Sequence, residues 1–186
     1  DGAAWSVYDD GNSRLPTNGI GAVEVGAVQV DAAGRVWAAT GDGNSNGDGV
    51  GVLDPSSGQW QLHRYADGVT AGDGAADIEI DPATGHVWMA HHPVIGYVTL
   101  PNGQQLRYFD GGGASRWDGS AWRSWTKPNA PLRLFGDKGI AQAVAVDRPG
   151  GRVWIGGWDG DPNTYHWGLG RDVDASANWC PLEECS

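Results

Sequence analysis

One phrase occurs three times along the chain: Gly34-Arg35-Val36-Trp37-Ala38, Gly85-His86-Val87-Trp88-Met89 and Gly151-Arg152-Val153-Trp154-Ile155. Each copy follows an alternating segment that ends in Asp: Ala27-Val28-Gln29-Val30-Asp31, Asp77-Ile78-Glu79-Ile80-Asp81 and Ala143-Val144-Ala145-Val146-Asp147. Apolar residues at every second position mark a strand with one face against a core. The connectors Asp-Ala-Ala-Gly, Asp-Pro-Ala-Thr-Gly and Asp-Arg-Pro-Gly-Gly supply Asp and Pro for a tight turn and Gly for a positive φ. The chain therefore makes the same hairpin three times. A repeat of this kind narrows the fold sharply, because each unit has a face that only its neighbour can bury.

A second phrase, with a Trp near the end of a strand, opens the chain and then follows each hairpin. Its copies are Ala4-Trp5-Ser6-Val7-Tyr8, Gln59-Trp60-Gln61-Leu62-His63, Ala121-Trp122-Arg123-Ser124-Trp125 and Asn178-Trp179. Between hairpin and Trp lies another short strand, clearest in Gly51-Val52-Leu53-Asp54 ahead of the turn Pro55-Ser56-Ser57-Gly58. Each repeat thus holds four strands, over residues 20–65, 75–126 and 139–182. The Trp positions are 55, 62 and 57 residues apart, and the long middle repeat carries an extra hairpin, 96–100 and 105–109, around Pro101-Asn102-Gly103. Four-stranded antiparallel units of this length stack radially as blades of a β-propeller. The expected fold is all-β: three blades plus residues 4–8 as the outer strand of a preceding blade. Val28, Val30, Ile78, Ile80, Val144 and Val146 are expected to pack between blades, with Trp37, Trp88 and Trp154 as equivalent large fillers.

Composition agrees and excludes several classes. The 31 glycines among 186 residues show no Gly-x-y period, so a collagen is ruled out. Eleven Trp and 40% hydrophobic residues are too much apolar surface for a disordered chain. No run of about 18 apolar residues exists to insert into a membrane. A formal net charge of −11 leaves no basic patch for nucleic acid.

The first repeat also carries a family resemblance. Asn12-Ser13-Arg14-Leu15-Pro16-Thr17-Asn18-Gly19-Ile20, followed by Val30-Asp31-Ala32-Ala33-Gly34-Arg35-Val36-Trp37-Ala38-Ala39-Thr40, Asp54-Pro55 and Trp60, resembles the two-component-regulator propeller repeat. The other two repeats keep the Asp-to-Gly-x-Val-Trp hairpin and lack the Leu-Pro-x-Asn entry. The resemblance implies a β-propeller in an extracellular, periplasmic or cell-surface location, often a ligand-sensing domain. It transfers no catalytic residue.

Three hairpins against four Trp phrases leave the opening strand without the rest of its blade. Propellers close with four to eight blades, and an unclosed stack exposes apolar sheet faces. The blade faces are therefore expected to meet a partner: further propeller blades of a longer chain, or other copies in a homo-oligomer.

Several residues are candidates for binding. Asp42-Gly43-Asn44-Ser45-Asn46-Gly47-Asp48 places oxygen side chains at alternate positions with Gly at the sixth, the start of a calcium loop, although Leu53 stands where a bidentate Glu would close it. The third repeat has Asp159, Asp161 and Asn163 in the equivalent connection. The same composition suits an ordinary hairpin loop, so Ca2+ is one of two readings for Asp42, Asn44, Asn46, Asp48, Asp159, Asp161 and Asn163. Cys180 and Cys185 form the one possible disulfide, which fits an oxidising compartment, as does a chain starting at Asp1 after loss of a leader. Trp158, beside the second acidic loop, is placed to stack on a sugar ring, and Trp117, Trp122, Trp125 and Trp167 are further surface candidates. Loops 12–20, 67–73 and 129–138 share one end of any propeller and are expected to carry ligand recognition, with Asn18 in the first. Glu79 is a lone carboxylate where the sister repeats have Gln29 and Ala145, which suggests a role at the channel. No Gly-x-Ser-x-Gly or sialidase-type box is present. The leading expectation is a non-enzymatic module that binds a glycan or protein. The alternatives are a structural subunit of a surface or filamentous assembly, and a propeller lyase or glycosidase.

Overall fold

The computed structural model of the protein describes residues 5–9, 11–13, 15, 25–41, 49–126, 140–147, 152–158, 167–172 and 179–181. These form an all-β structure of three four-stranded antiparallel sheets and one separate hairpin. The first sheet is β1 (Val25–Val30), β2 (Val36–Thr40), β3 (Gly49–Asp54) and β4 (Gln59–His63), in that order. A 3-10 turn at Tyr65–Asp67 leads to the second, which contains β5 (Ala75–Ile80) and β6 (Val87–His91). A hairpin of β7 (Val94–Thr99) and β8 (Gln105–Asp110) interrupts it before β9 (Gly113–Trp117) and β10 (Trp122–Trp125) complete the order β5-β6-β9-β10. The third is β11 (Ile140–Asp147), β12 (Arg152–Trp158), β13 (Trp167–Asp172) and β14 (Trp179–Pro181). No helix among the described residues is long and apolar enough to cross a membrane.

The three sheets share more than strand order. In each, the first strand carries a register shift at the same place, Val25/Ala27, Ala75/Asp77 and Ala141/Ala143. In the first two sheets the Asp after the first strand anchors the turn. Asp31 Oδ1 accepts from the backbone N–H groups of Ala33 and Arg35 at 2.9 and 3.0 Å. Its Oδ2 accepts from Arg35 Nε at 2.7 Å and from the Trp37 indole at 2.9 Å. Asp81 accepts from the Ala83 N–H at 2.9 Å and the Thr84 hydroxyl at 2.6 Å. The glycines closing these two turns, Gly34 and Gly85, have φ of +80° and +74°, where a side chain would be strained.

The core lies between sheets. Trp37, Ala39, Val50 and Val52 of the first pack against Ala75, Ile78, Val87 and Met89 of the second. Trp88, Ala90, Ala114 and Trp125 of the second pack against Ala141, Val144, Val146, Val153 and Ile155 of the third. One polar bond crosses as well: the Val144 N–H, just past the third sheet's register shift, donates to Asp77 Oδ2 at 3.0 Å. Leu15 closes a smaller cluster with Ala38, Leu53 and Trp60 on the far side of the first sheet.

Four expectations are corrected. Residues 5–9 form no strand, because no other strand among the described residues lies beside them to pair with. Val28 and Val30 do not pack between sheets but are 54% and 60% exposed, since no sheet among the described residues lies against that face. Trp154 is half-buried rather than a full counterpart of Trp37 and Trp88. Loop 67–73 is only partly open: Asp67 and Gly68 are exposed, whereas Thr70, Ala71 and Asp73 are buried against the second sheet.

Candidate functional site

Antiparallel order sends the connection after the second strand and the connection after the fourth strand to the same end of each sheet. In the second sheet this brings the entering segment, Tyr65 to Gly74, under the base of hairpin β7–β8. Backbone bonds tie the two together. The His92 N–H donates to the Gly74 carbonyl at 2.7 Å, and the Gly112 N–H to the Ala71 carbonyl at 2.6 Å. Side chains finish the platform: the Ala71 N–H donates to Ser115 Oγ at 2.7 Å, and the Ser124 hydroxyl donates to the Val69 carbonyl at 3.1 Å.

Polar groups gather at this base. Tyr65 is raised above the ordinary phenol value by burial, then by the charge of Asp110, to which it also donates a hydrogen bond, and by Asp73. His91 is fully buried, and neither of its ring nitrogens has a hydrogen-bond partner. Burial, with the charge of His92 second, pushes its pKa down to about 3. It is therefore neutral near pH 7, and a buried, neutral, unpartnered imidazole does packing rather than proton transfer here. Among the described residues no group of three or more His, Cys, Asp and Glu is arranged to hold a metal.

Above the base the hairpin stands away from the sheets. Its six pairs run from Val94↔Asp110 to Thr99↔Gln105, and its turn is closed by the Gly103 N–H donating to the Leu100 carbonyl at 2.9 Å. Val98, Leu106 and Tyr108 lie on one face, and Tyr97 and Arg107 on the other with Phe109. Tyr97 is 60% exposed, and Val98, Leu106 and Tyr108 are exposed too. Arg107 covers Phe109 with its guanidinium 4.7 Å from the ring. A lone two-stranded hairpin is marginally stable in water, so an arm that keeps this much apolar surface exposed is suited to contact with another molecule.

The sequence-predicted residues fall unevenly. Asn18, Asp42, Asn44, Asn46, Asp48, Asp159, Asp161, Asn163 and Cys185 lie outside the described residues. Cys180 sits in β14 and Trp158 at the end of β12, paired with Ile140 and Trp167; the Trp158 side chain lies outside what is described. Glu79 is half-buried in β5, opposite Trp88. Trp125 is buried and stacks on Trp88 with ring centroids 5.3 Å apart. Trp117 and Trp122 pack with His63 against the first sheet rather than standing free. Burial lowers the His63 pKa, with Asp67 opposing it.

Sequence reading located the extra hairpin but gave it no role. It singled out Glu79 rather than its neighbour Asp77, whose signal was legible: Ala27 and Ala143 stand at the same position in the sister sheets. No protein-family model matches the chain, and no curated protein matches it. The likeness to the two-component-regulator repeat accordingly rests on the residues that carry it.

Proposed function

We propose that the three sheets are blades of a β-propeller from a secreted, periplasmic or cell-surface protein, and that the chain binds a glycan or protein ligand without transforming it. The repeated strand order, the register shift common to all three first strands and the serial packing of sheet on sheet support the blade reading. The observation that carries the binding reading is the β7–β8 arm, rooted by backbone bonds and exposing Tyr97, Val98, Leu106 and Tyr108. Tyrosines offer flat, amphipathic contact area at low entropic cost, for a sugar face or for a peptide.

Two arrays test this, one of glycans and one of immobilised peptides. The expected result is binding on one of them that weakens about tenfold in Tyr97→Ser/Tyr108→Ser while the melting temperature stays within a degree or so, since both rings are exposed. No binding on either array, or binding indifferent to the double substitution, sinks the proposal.

A further inference from the structure

One position in the β7–β8 arm carries no side chain. Gly96 stands directly opposite Tyr108, and a glycine inside a strand weakens it unless something uses the space it leaves. Tyr108 uses that space: a Cβ built on Gly96 would collide with the far end of the phenol, at Cζ, Cε1 and Oη. The ring therefore leans across β7 instead of standing up from β8. One of its faces rests on the backbone at Gly96, yet the residue is 45% exposed, so the other face is turned outward. Val98 and Leu106 form the exposed pair two positions nearer the tip on the same face, about 7 Å further along the strands. Ring and pair together make a flat apolar platform.

The platform is also uncharged. Residues 94–109 hold no Asp or Glu, in a chain that has 23, and their one cation, Arg107, lies on the opposite face over Phe109. Asp110, at the root of the platform's face, accepts a hydrogen bond from Tyr65. The tip beyond the platform is polar and neutral. Asn102 Nδ2 donates to Gln104 Oε1 at 2.8 Å, and the Gln104 N–H donates to Asn102 Oδ1 at 3.0 Å. Amide side chains both donate and accept, as sugar hydroxyls do.

We infer that the ligand of the arm is a neutral glycan, stacked through the apolar face of a pyranose ring on Tyr108. The choice of a glycan rests on the arm being a binding element, as proposed above, and narrows it to one class of ligand and one face. A ring already held flat against the strand offers a sugar a surface of matching breadth without a mobile side chain having to be ordered on binding. Charge selects further. With −11 on the whole chain a polyuronate is repelled, whereas an uncharged face and an uncharged sugar meet without that opposition. A peptide added as a further strand would pair along the outer edge of β7 or β8 through its backbone and leave the outward face of Tyr108 unused. A lipid surface would require apolar side chains at the tip, where Asn102, Gln104 and Gln105 stand instead.

The test probes the full 186-residue chain against arrays of neutral oligosaccharides, with cellohexaose, xylohexaose and mannohexaose among them, of oligogalacturonates and of peptides, at low and high salt. The expected result is binding to a neutral glycan that salt leaves unchanged. Tyr108→Ser should weaken it about tenfold, and Tyr108→Phe, which keeps the ring, should stay within about twofold of the original. Gly96→Val/Tyr108→Ser separates a platform from a mere cover for glycine. Val strengthens the bare strand without restoring a ring, so this variant should keep its melting temperature and still fail to bind. Neutral-glycan binding that returns in the double variant, or that withstands Tyr108→Ser, overturns the inference. Binding confined to oligogalacturonates or peptides overturns it while leaving the arm a binding element, and binding to nothing on the arrays overturns both.

Discussion

Two buried polar residues decide how much of the chain's stability depends on single side chains. Burial raises the Asp31 carboxyl, and the bonds from Trp37 and Arg35 outweigh it, so the group sits below the ordinary carboxylate value. Its four bonds tie the turn, an Arg and the indole of a Trp that is 1% exposed. Asp31→Ala strands that indole N–H in the core. The expected loss is about 3 kcal/mol, from removing bonds to a charged acceptor and leaving a buried donor unpaired. A shift in the urea midpoint equivalent to less than about 1 kcal/mol would show that these bonds contribute little. His91 works in the opposite sense. Its folded pKa of about 3 lies below the ordinary 6.5, so the unfolded chain binds the extra proton first. Stability from this group is complete well above pH 6.5 and falls as the pH drops towards about 3, by on the order of 5 kcal/mol at most. His91→Leu, close in volume and apolar, should flatten that slope in melting temperature against pH and cost little at pH 7. An identical acid slope in the variant would assign the effect to other groups.

At the scale of elements, the same phrase behaves differently according to its neighbours. Trp60 and Trp122 belong to strands, whereas residues 5–9, with an equivalent pattern, do not. Strand propensity is local, but a strand's N–H and C=O groups need a partner strand, and only tertiary context supplies one. The hairpin arm depends on its root in a similar way. Gly111 has φ +70°, and a Cβ there would come within 2.5 Å of the Ala71 carbonyl oxygen. Gly111→Ala is therefore expected to cost about 2–3 kcal/mol and to break the adjoining Gly112-to-Ala71 bond. Hydrogen exchange reads this directly: the Gly112 amide should lose protection while the N–H groups of β2 keep theirs. Equal protection in the variant would mean that the arm is not held by that bond.

The whole molecule is a series of sheets with one core at each junction rather than a single centre. Loss of one junction therefore need not dissolve the other. The exposure of Val25, Val28 and Val30 belongs to this scale, because it means nothing until the sheets beside them are counted. Net charge acts here too. At −11 per copy, low salt opposes any association between copies that the apolar faces favour.

The sequence alone determined the repeat, the strand order of each sheet, the extra hairpin and the Asp turns of the first two sheets. Each depends on local periodicity or on turn chemistry within a few residues, and both can be read along a chain. Tertiary structure alone decided which face of each sheet is covered. Val28 and Ile78 occupy one repeat position, yet one is open and the other 1% exposed, because burial belongs to the neighbouring sheet and not to the residue. It likewise turned Trp125 from a candidate surface ring into core, buried His91 without partners, and made Asp77 the bond between two sheets. Those outcomes depend on groups that lie far apart in sequence, and alternation of apolar residues carries no information about which face meets which.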